Sequence, residues 1–181
     1  MIETVVESIR VSLVTQHRVV ILKETQGERH LPIWIGAYEA EAIAMELQGV
    51  AAARPLPYDL MKTMIGDLGG SVERIMVTDL TQDVFYARIV VRANGRTIEV
   101  DSRPSDAIAL AVRAHVPILV DESVMERAGV TLNGEGEPEE EPSSVAAEAE
   151  AVERVDDERL SVFRDFINTL DLDEFDRKKG N

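Results

Sequence analysis

Cysteine is absent from this 181-residue chain, and aromatic residues make up only 4% of it. The lack of cysteine excludes a disulfide framework, a thiolate zinc site and a cysteine nucleophile, and it fits a reducing compartment. A core must therefore be built mainly from Val, Ile, Leu, Met and Ala. This is feasible because hydrophobic residues make up 45% of the sequence.

Long apolar runs are absent as well. No segment approaches the roughly 18 consecutive apolar residues that indicate a membrane-spanning helix. The first ten residues already contain Glu3 and Glu7 and lead into no apolar stretch, so they do not resemble a secretory signal peptide. We therefore expect a cytoplasmic protein with no part in the membrane.

Positive charge is scarce, and the acidic excess is unevenly distributed. The formal net charge is −15. Residues 133–181 contain 16 acidic and 6 basic residues, a net of −10, whereas residues 1–132 contain 18 acidic and 13 basic residues, a net of −5. Because neutralisation of phosphates by Lys and Arg supplies most affinity for nucleic acids, this composition argues against tight binding of RNA or DNA.

Composition divides the chain into three parts. Residues 1–130 carry regular hydrophobic patterns and predict a domain that folds without the rest. Residues 131–152 are rich in Glu, Pro, Gly, Ser and Ala, which predicts an acidic flexible linker. Residues 153–179 predict a C-terminal helix because apolar residues return at helical spacing, at Leu160, Phe163, Phe166, Ile167 and Leu170.

Hydrophobic periodicity in the first part predicts an α+β fold, with a compact mixed, mainly antiparallel sheet and helices packed on it. Strands are predicted at residues 2–14, 18–24, 29–35, 71–80, 84–92, 97–101 and 117–120. Helices are predicted at 37–48, at 58–68, from a cap at Ser102 to about Arg113, and at 122–128. Asn94-Gly95 predicts a hairpin. Pro32 lacks a backbone donor, so its strand should lie at a sheet edge or contain a bulge there.

Three segments carry a more specific signal. They are residues 31–44 (LPIWIGAYEAEAIA), residues 48–60 with Gln48-Gly49 and Arg54-Pro55-Leu56-Pro57-Tyr58-Asp59-Leu60, and residues 101–111 (DSRPSDAIALA). In this order and spacing they resemble the bifunctional nuclease domain, and the resemblance runs from residue 1 to about 130. It implies a nuclease that degrades RNA and DNA with little sequence preference, in a compact α+β fold that forms dimers or larger oligomers.

The charged residues in these segments are the candidate site. Hydrolysis of a phosphodiester needs an activated water, a cation on the phosphate and often one or two divalent metals. Glu39, Asp59 and Asp106 are the candidate catalytic residues, and Asp101 is a weaker one. Asp59 and Asp106 are also candidate ligands for Mg²⁺ or Mn²⁺, which prefer oxygen donors.

Arg54 and Arg103 are the candidate substrate-binding residues, because an arginine can hold a phosphate through two parallel hydrogen bonds. An ion pair that fixes a loop is an equally good interpretation of either arginine. For the acidic residues the structural interpretation is a favourable interaction with the helix dipole, worth roughly 0.3–1 kcal/mol. No histidine in the matching motifs would activate Ser105, which favours a capping role. The histidines, His17, His30 and His115, show no metal-ligand spacing.

Tyr58 departs from the family pattern. After the Arg-Pro pair the family commonly has Thr-His-Asp-Leu, so Tyr58 occupies the position of the histidine. Tyrosine, with a reference pKa near 10, cannot act as a base at neutral pH without a large shift. Two hypotheses follow: a low-specificity, metal-assisted nuclease with RNA or DNA as weakly bound substrate, and a non-catalytic oligomeric module that binds a ligand or regulatory partner.

Two structural expectations complete the picture. Glu39, Asp59, Arg103 and Asp106 all lie near element boundaries in the matching segments, so we expect them to converge in one solvent-accessible cleft. We also expect self-association into a dimer or larger oligomer, because the strand around Pro32 carries apolar side chains that need cover, notably Trp34 and Ile35.

Overall fold

A computed structural model describes residues 1–11 and 17–131. The predicted helix at 153–179, all but the first residue of the predicted linker, and residues 12–14 of the first predicted strand lie outside the described residues, so these stay predictions. Among the described residues, no helix is long and apolar enough to cross a membrane.

The described residues form eight strands and four helices. The strands are β1 (Ile2–Val11), β2 (Arg18–Glu24), β3 (Arg29–Ile35), β4 (Gly70–Thr81), β5 (Val84–Ala93), β6 (Arg96–Ser102), β7 (Ile118–Val120) and β8 (Val130–Thr131). The helices are α1 (Ala37–Leu47), α2 (Pro57–Asp67), α3 (Pro104–Ala114) and α4 (Glu122–Ala128). Apart from β8, each element was predicted within a few residues of its position.

The strands form one mixed sheet in the order β6-β5-β4-β7-β1-β2-β3-β8. Within the described part of the chain, β4–β7 is the one parallel pair and the other neighbours are antiparallel. The predicted α+β class, with a mainly antiparallel sheet, is therefore confirmed.

Helix α3 is the centre of the helical layer. It contacts α1, α2, β4 and β5, and five successive residues, Ala107 to Ala111, have no exposed surface. Small residues at Ala107, Ala109 and Ala111 allow the neighbouring elements to approach closely. Because α3 packs against two helices and two strands, these contacts position the side chains at its N-terminus.

Two local predictions concern the turn between β5 and β6 and the start of α3. Asn94 and Gly95 both have positive φ, 52° and 74°, and join β5 to β6 as predicted. The prediction that Ser102 caps α3 is wrong: the N-cap is Arg103, because Pro104 takes the first helical position, and the Ser102 hydroxyl donates to the Arg103 carbonyl.

Strand β3 is covered on its outer side only at Arg29 and His30, where β8 pairs with it. No strand among the described residues pairs with the outer side of Pro32, and the β2–β3 register runs through Pro32 without a bulge. The missing N–H of Pro32 therefore falls on an open edge, which was one of the two predicted arrangements.

Candidate active site

Helices α2 and α3 begin in the same way. Each has a proline at its first position and an aspartate at its third, in Leu56-Pro57-Tyr58-Asp59 and Arg103-Pro104-Ser105-Asp106. Proline is well suited to the first position because its missing N–H would be unpaired there anyway. The repeated pattern places Asp59 and Asp106 at equivalent points of two helices that pack together.

Arg103 connects the starts of α1 and α3. Its Nε donates to Asp106 Oδ2 at 2.7 Å, and its Nη2 donates to Glu39 Oε1 at 2.8 Å and to Asp106 Oδ1 at 3.1 Å. The Arg103 side chain is 68% exposed, against 15% for Glu39 and 25% for Asp106. The two carboxylates therefore lie beneath a guanidinium that faces solvent.

Gly36 makes room for this arrangement. It is the N-cap of α1, and the Glu39 side chain folds back over it. A Cβ at position 36 would collide with Glu39 Oε2. A side chain there would push the end of the Glu39 side chain away from the position in which Arg103 binds it.

Tyr58 approaches Asp106 from the buried side. Its hydroxyl donates to Asp106 Oδ1 at 2.8 Å, and the residue is 8% exposed. Burial and, next, the hydrogen bond to Asp106 hold the pKa of Tyr58 well above its ordinary value. The position at which the family commonly has histidine is therefore a neutral hydrogen-bond donor here. Glu39, Tyr58, Arg103 and Asp106 are called the Arg103 cluster below.

Asp59 has a different partner, Arg113, which was not predicted from the sequence. Arg113 Nε donates to Asp59 Oδ1 at 2.9 Å, and its side chain is only 3% exposed. Its Nη1 also donates to the Ala109 carbonyl at 3.3 Å. The second oxygen of Asp59 accepts the Leu56 N–H at 2.7 Å, so the pair fixes the start of α2 against α3.

Three of the four residues expected to converge are in direct contact: Glu39, Arg103 and Asp106. Among the described residues, Asp59 is linked to them through Arg113 and Tyr58. The guanidinium carbon of Arg113 lies 5.6 Å from the centre of the Tyr58 ring, and the Tyr58 hydroxyl binds Asp106. The single sequence signal for Arg113 was a basic residue in the last turn of α3, which is ordinarily explained by the helix dipole.

The other candidates lie outside this network. Arg54 is exposed between α1 and α2 and has no side-chain hydrogen bond or ion pair among the described residues. Asp101 is exposed on β6, opposite Arg88 of β5. Ser105 is buried in the first turn of α3. Of the histidines, His17 contacts Trp34 edge-on, His30 is buried beside Glu7, and His115 ends α3 with a positive φ.

The Arg103 cluster lies on the surface. A groove of about 530 Å³ runs beside α1, and one of about 220 Å³ lies between α2 and β4. Neither is lined by a residue of the cluster.

The oxygens of the two proposed metal ligands are already engaged. Asp59 is occupied by Arg113 and Leu56, and Asp106 by Arg103 and Tyr58. Within the described ranges, no three His, Asp or Glu side chains are placed to hold a metal ion. This arrangement does not fit Mg²⁺ or Mn²⁺ at Asp59 and Asp106, so a metal stays a prediction.

Comparison with known proteins supplies the family. The sequence model of the bifunctional nuclease domain matches residues 20–133, which include all three motif segments. This chain belongs to the bifunctional nuclease domain family. The resemblance stated from the motifs is therefore confirmed.

Relatives of this bifunctional nuclease domain occur in bacteria and plants. An uncharacterized protein of Mycobacterium tuberculosis strain H37Rv is 38% identical over 173 residues, which cover 96% of this chain and 97% of the relative. Bifunctional nuclease 1 of Oryza sativa subsp. indica is 28% identical over 145 residues, or 78% of this chain and 44% of the plant protein. Bifunctional nuclease 1 of Arabidopsis thaliana is 31% identical over 109 residues, or 58% and 34%. The chain thus aligns with less than half of each plant protein.

Proposed function

We propose that this chain hydrolyses phosphodiester bonds of RNA and DNA with low sequence specificity, and that the Arg103 cluster is its active site. The observation that carries the proposal is a solvent-facing guanidinium held by two carboxylates from different helices. Its family relationship to plant proteins named bifunctional nucleases supports the same activity.

Arg103 is suited to bind a phosphate. Its Nε and Nη2 are used on the carboxylates, whereas Nη1 has no hydrogen-bond partner in the described part of the chain. Hydrogen bonds from Arg103 to Asp106 hold the pKa of the guanidinium above its ordinary value, so the cation is present at any physiological pH. One cation against two carboxylates leaves a local net charge of −1, which fits a weakly bound nucleic acid substrate.

Glu39 is suited to activate the nucleophile. DNA has no 2′-hydroxyl to attack its own phosphate, so in this proposal water is the nucleophile for both substrates. Only Oε1 of Glu39 is hydrogen-bonded among the described residues, so Oε2 can accept a proton from water. The water oxygen then bonds to phosphorus, the bond to one sugar oxygen breaks, and solvent protonates the leaving oxygen.

Asp106 has the complementary task in this proposal. It accepts two hydrogen bonds from Arg103 and one from Tyr58, which leaves it poorly placed to accept a proton from water. It fixes the direction of the guanidinium instead, so that Arg103 meets the phosphate beside Glu39. Fixed cations of this kind stabilise the charge that develops in the transition state.

A cleavage assay with matched variants tests the proposal. Purified full-length protein is incubated with labelled single-stranded RNA and DNA in Mg²⁺, Mn²⁺ or EDTA. Arg103→Ala and Glu39→Gln should lose cleavage. Arg88→Ala is the matched control. Arg88 is also a part-exposed arginine paired with a glutamate, Glu99, at 3.8 Å, but it lies outside the Arg103 cluster, so this variant should retain cleavage. Equal cleavage by wild type and Arg103→Ala would contradict the proposal, because the cleavage would then come from another site or from a contaminating nuclease.

The second candidate is a non-catalytic module that binds a phosphate-containing ligand at the same cluster. It is favoured by Tyr58, a neutral donor at the position of the family histidine. Binding of an oligonucleotide that depends on Arg103, without any Arg103-dependent cleavage, would support this module over the nuclease. The EDTA arm separately tests the expected metal, since cleavage that survives EDTA would contradict it.

A further inference from the structure

Tyr38 is an exposed aromatic side chain in the first turn of α1. It is 86% exposed, more than any other large apolar or aromatic side chain in the described ranges. It comes two residues after Gly36, the N-cap of the helix, and directly before Glu39, which binds Arg103. Its ring makes no ring contact and no cation–π contact with any described residue. The ring is therefore open to solvent.

Folding of the domain does not account for a tyrosine at this position. The start of a helix favours acidic side chains, which interact well with the helix dipole, and side chains that cap the helix. Tyr38 is neither acidic nor a cap, and Ala40, Ala42 and Ile43 are the residues that α1 buries. A single exposed aromatic residue is common on protein surfaces and is no sign of a site by itself, so the position of Tyr38 is what matters.

The Tyr38 side chain flanks the Arg103 cluster. The Cα–Cβ bonds of a helix tilt toward its N-terminus, so Tyr38 and Glu39 both start toward the end of α1 at which Arg103 binds Glu39. Consecutive residues project about 100° apart around the helix axis. The ring of Tyr38 therefore lies to one side of the Glu39 carboxylate and leaves it uncovered. A ligand held by Arg103 can extend onto the ring.

The scarcity of positive charge limits what phosphate contacts can contribute. Arg103 is one cation against two carboxylates, and residues 1–132 carry a net charge of −5. Neutralisation of phosphates therefore supplies little affinity. Stacking of a base on an aromatic ring needs no positive charge, and it accepts any base because every base has a flat face. Such a contact suits a substrate that is bound weakly and with low sequence specificity.

No other aromatic side chain in the described part of the chain combines exposure with this position. Trp34 already has a ring contact, Tyr58 is buried in the cluster, and Phe85 packs against the hydrophobic core. Tyr86 is 43% exposed, but the next residue, Ala87, belongs to the core, and successive residues of a strand point to opposite faces. Tyr86 therefore projects from the face of the sheet away from the core, and it serves as a matched control.

We propose that Tyr38 forms a base-binding subsite, on which an unpaired nucleobase stacks while Arg103 binds the adjoining phosphate. This rests on the proposed nuclease function and assigns its substrate class, single-stranded RNA or DNA. Bases of a duplex are stacked on each other, and taking one out of the stack costs free energy. Single strands and loops offer bases that are already unstacked. Tyr38 thus selects the substrate and takes no part in the chemical step.

Binding of an oligonucleotide tests the subsite independently of cleavage. Labelled single-stranded DNA is added to the full-length protein, and fluorescence anisotropy is read before cleavage becomes detectable. Tyr38→Ala should fold, because alanine favours helix, and should weaken binding roughly tenfold, in the range expected for the loss of one base stack. Tyr38→Phe keeps the ring and should bind like wild type. Tyr86→Ala should also bind like wild type.

Removing the bases instead of the ring provides a second measurement. An abasic strand keeps its phosphates but has nothing to stack, so wild type should bind it about as weakly as Tyr38→Ala does. A fully paired duplex of the same sequence should likewise bind wild type and Tyr38→Ala equally. If Tyr38→Ala still distinguishes the complete strand from the abasic strand as well as wild type does, the bases are recognised elsewhere and the subsite is wrong.

The cleavage assay separates this subsite from the nuclease proposal. Tyr38→Ala should raise KM and leave kcat unchanged, because stacking holds the substrate and the transition state alike. Cleavage that is lost in Arg103→Ala but has an unchanged KM in Tyr38→Ala would contradict the subsite alone. Binding that depends on Tyr38, without cleavage that depends on Arg103, would support the subsite and contradict the nuclease.

Two further results would overturn the subsite. One is a wild type that does not bind single strands. The other is a lower mass of Tyr38→Ala than of wild type by light scattering, because a second copy of the chain would then cover the ring. The self-association expected from the sequence stays a prediction, and the same measurement tests it.

Discussion

Asp59 and Asp106 occupy the same position in two similar helix starts, yet their surroundings differ. Asp59 holds a buried arginine, Arg113, and the backbone of its own N-cap. Asp106 holds an exposed arginine, Arg103, and a buried tyrosine, Tyr58. The same local sequence pattern thus produces one aspartate committed to helix packing and one that presents a cation to solvent.

The partner decides which role an aspartate takes. Removing one member of a buried ion pair leaves an unpaired charge in a medium that solvates it poorly, which is costly. An exposed pair contributes little because water solvates both charges well. Replacing Asp59 should therefore cost more stability than replacing Asp106, whereas replacing Asp106 should cost more activity.

The largest expected effect is the loss of stability in Asp59→Ala. This change strands Arg113, whose side chain is 3% exposed, and removes the acceptor for the Leu56 N–H. Because Asp59 itself is 37% exposed, we expect about 2–4 kcal/mol, at the lower end of the cost of breaking a buried pair. Urea unfolding followed by circular dichroism measures it.

A double variant provides the control for Asp59→Ala. Asp59→Ala combined with Arg113→Met removes both charges, so it should be more stable than Asp59→Ala alone. A single Asp59→Ala variant as stable as wild type would show that Arg113 finds another partner or reaches water.

The second effect is a loss of activity in Asp106→Asn. This change keeps the shape of the side chain but removes the charge that orients Arg103. Cleavage should fall about 100-fold, in the range of losing one positioned electrostatic group, while the midpoint of thermal unfolding changes by only a few degrees. A large drop in that midpoint would instead identify Asp106 as a structural ion-pair partner, like Asp59.

Most of the fold was predictable from the sequence, because alternation and helical spacing of apolar residues report which face of each element is buried. The two-residue strand β8 was not predicted, since so short a segment has no period to detect. The N-cap of α3 was wrongly predicted at Ser102 for a different reason. That prediction used the general preference for serine at this position, whereas Pro104 fixes where α3 begins.

The site was only partly predictable. Glu39, Arg103 and Asp106 were identified because they lie in the family motifs. Their pairing, and the separate pairing of Asp59 with Arg113, depends on how three helices pack, and joins residues 54 and 64 positions apart in sequence. One sequence contains no signal for contacts of that kind, which is why Arg113 was missed and the separate pairing of Asp59 was not foreseen. A catalytic role for Asp59 stays a prediction.

Tyr58→Phe should have an intermediate effect on both properties. Tyr58 contacts both aspartate networks, through its hydroxyl on Asp106 and its ring beside Arg113. Losing the hydroxyl removes one hydrogen bond to a charged acceptor, about 1.5–3 kcal/mol before any compensation by water, whereas the ring contact remains. We expect cleavage to fall about tenfold, with a loss of stability smaller than that of Asp59→Ala.

The pH dependence of Tyr58→Phe provides a second measurement. The raised pKa of Tyr58 means that its hydroxyl stays protonated in the folded protein throughout the neutral range and up to at least pH 10. Its stabilising contribution is therefore constant below that pH and is lost only as the pH rises further. Wild type and Tyr58→Phe should show parallel stability curves between pH 6 and 9, and curves that diverge in this range would contradict the assignment.

The smallest expected effect is the stability change in Arg103→Ala. The change leaves Glu39 and Asp106, which are 15% and 25% exposed, without Arg103. Because the guanidinium is 68% exposed and water can take its place, we expect a loss of only about 1 kcal/mol, smaller than that of Asp59→Ala. Ionic screening should reduce even this difference as NaCl is raised from about 0.05 M to 1 M, where the screening length falls to roughly 3 Å. The cost of Asp59→Ala should change far less with salt, because water and ions do not reach Arg113. Paired urea titrations of the two variants at both salt concentrations measure the contrast. If the two variants respond equally to salt, burial does not distinguish the two arginines, and the separation of a structural aspartate from a functional one fails.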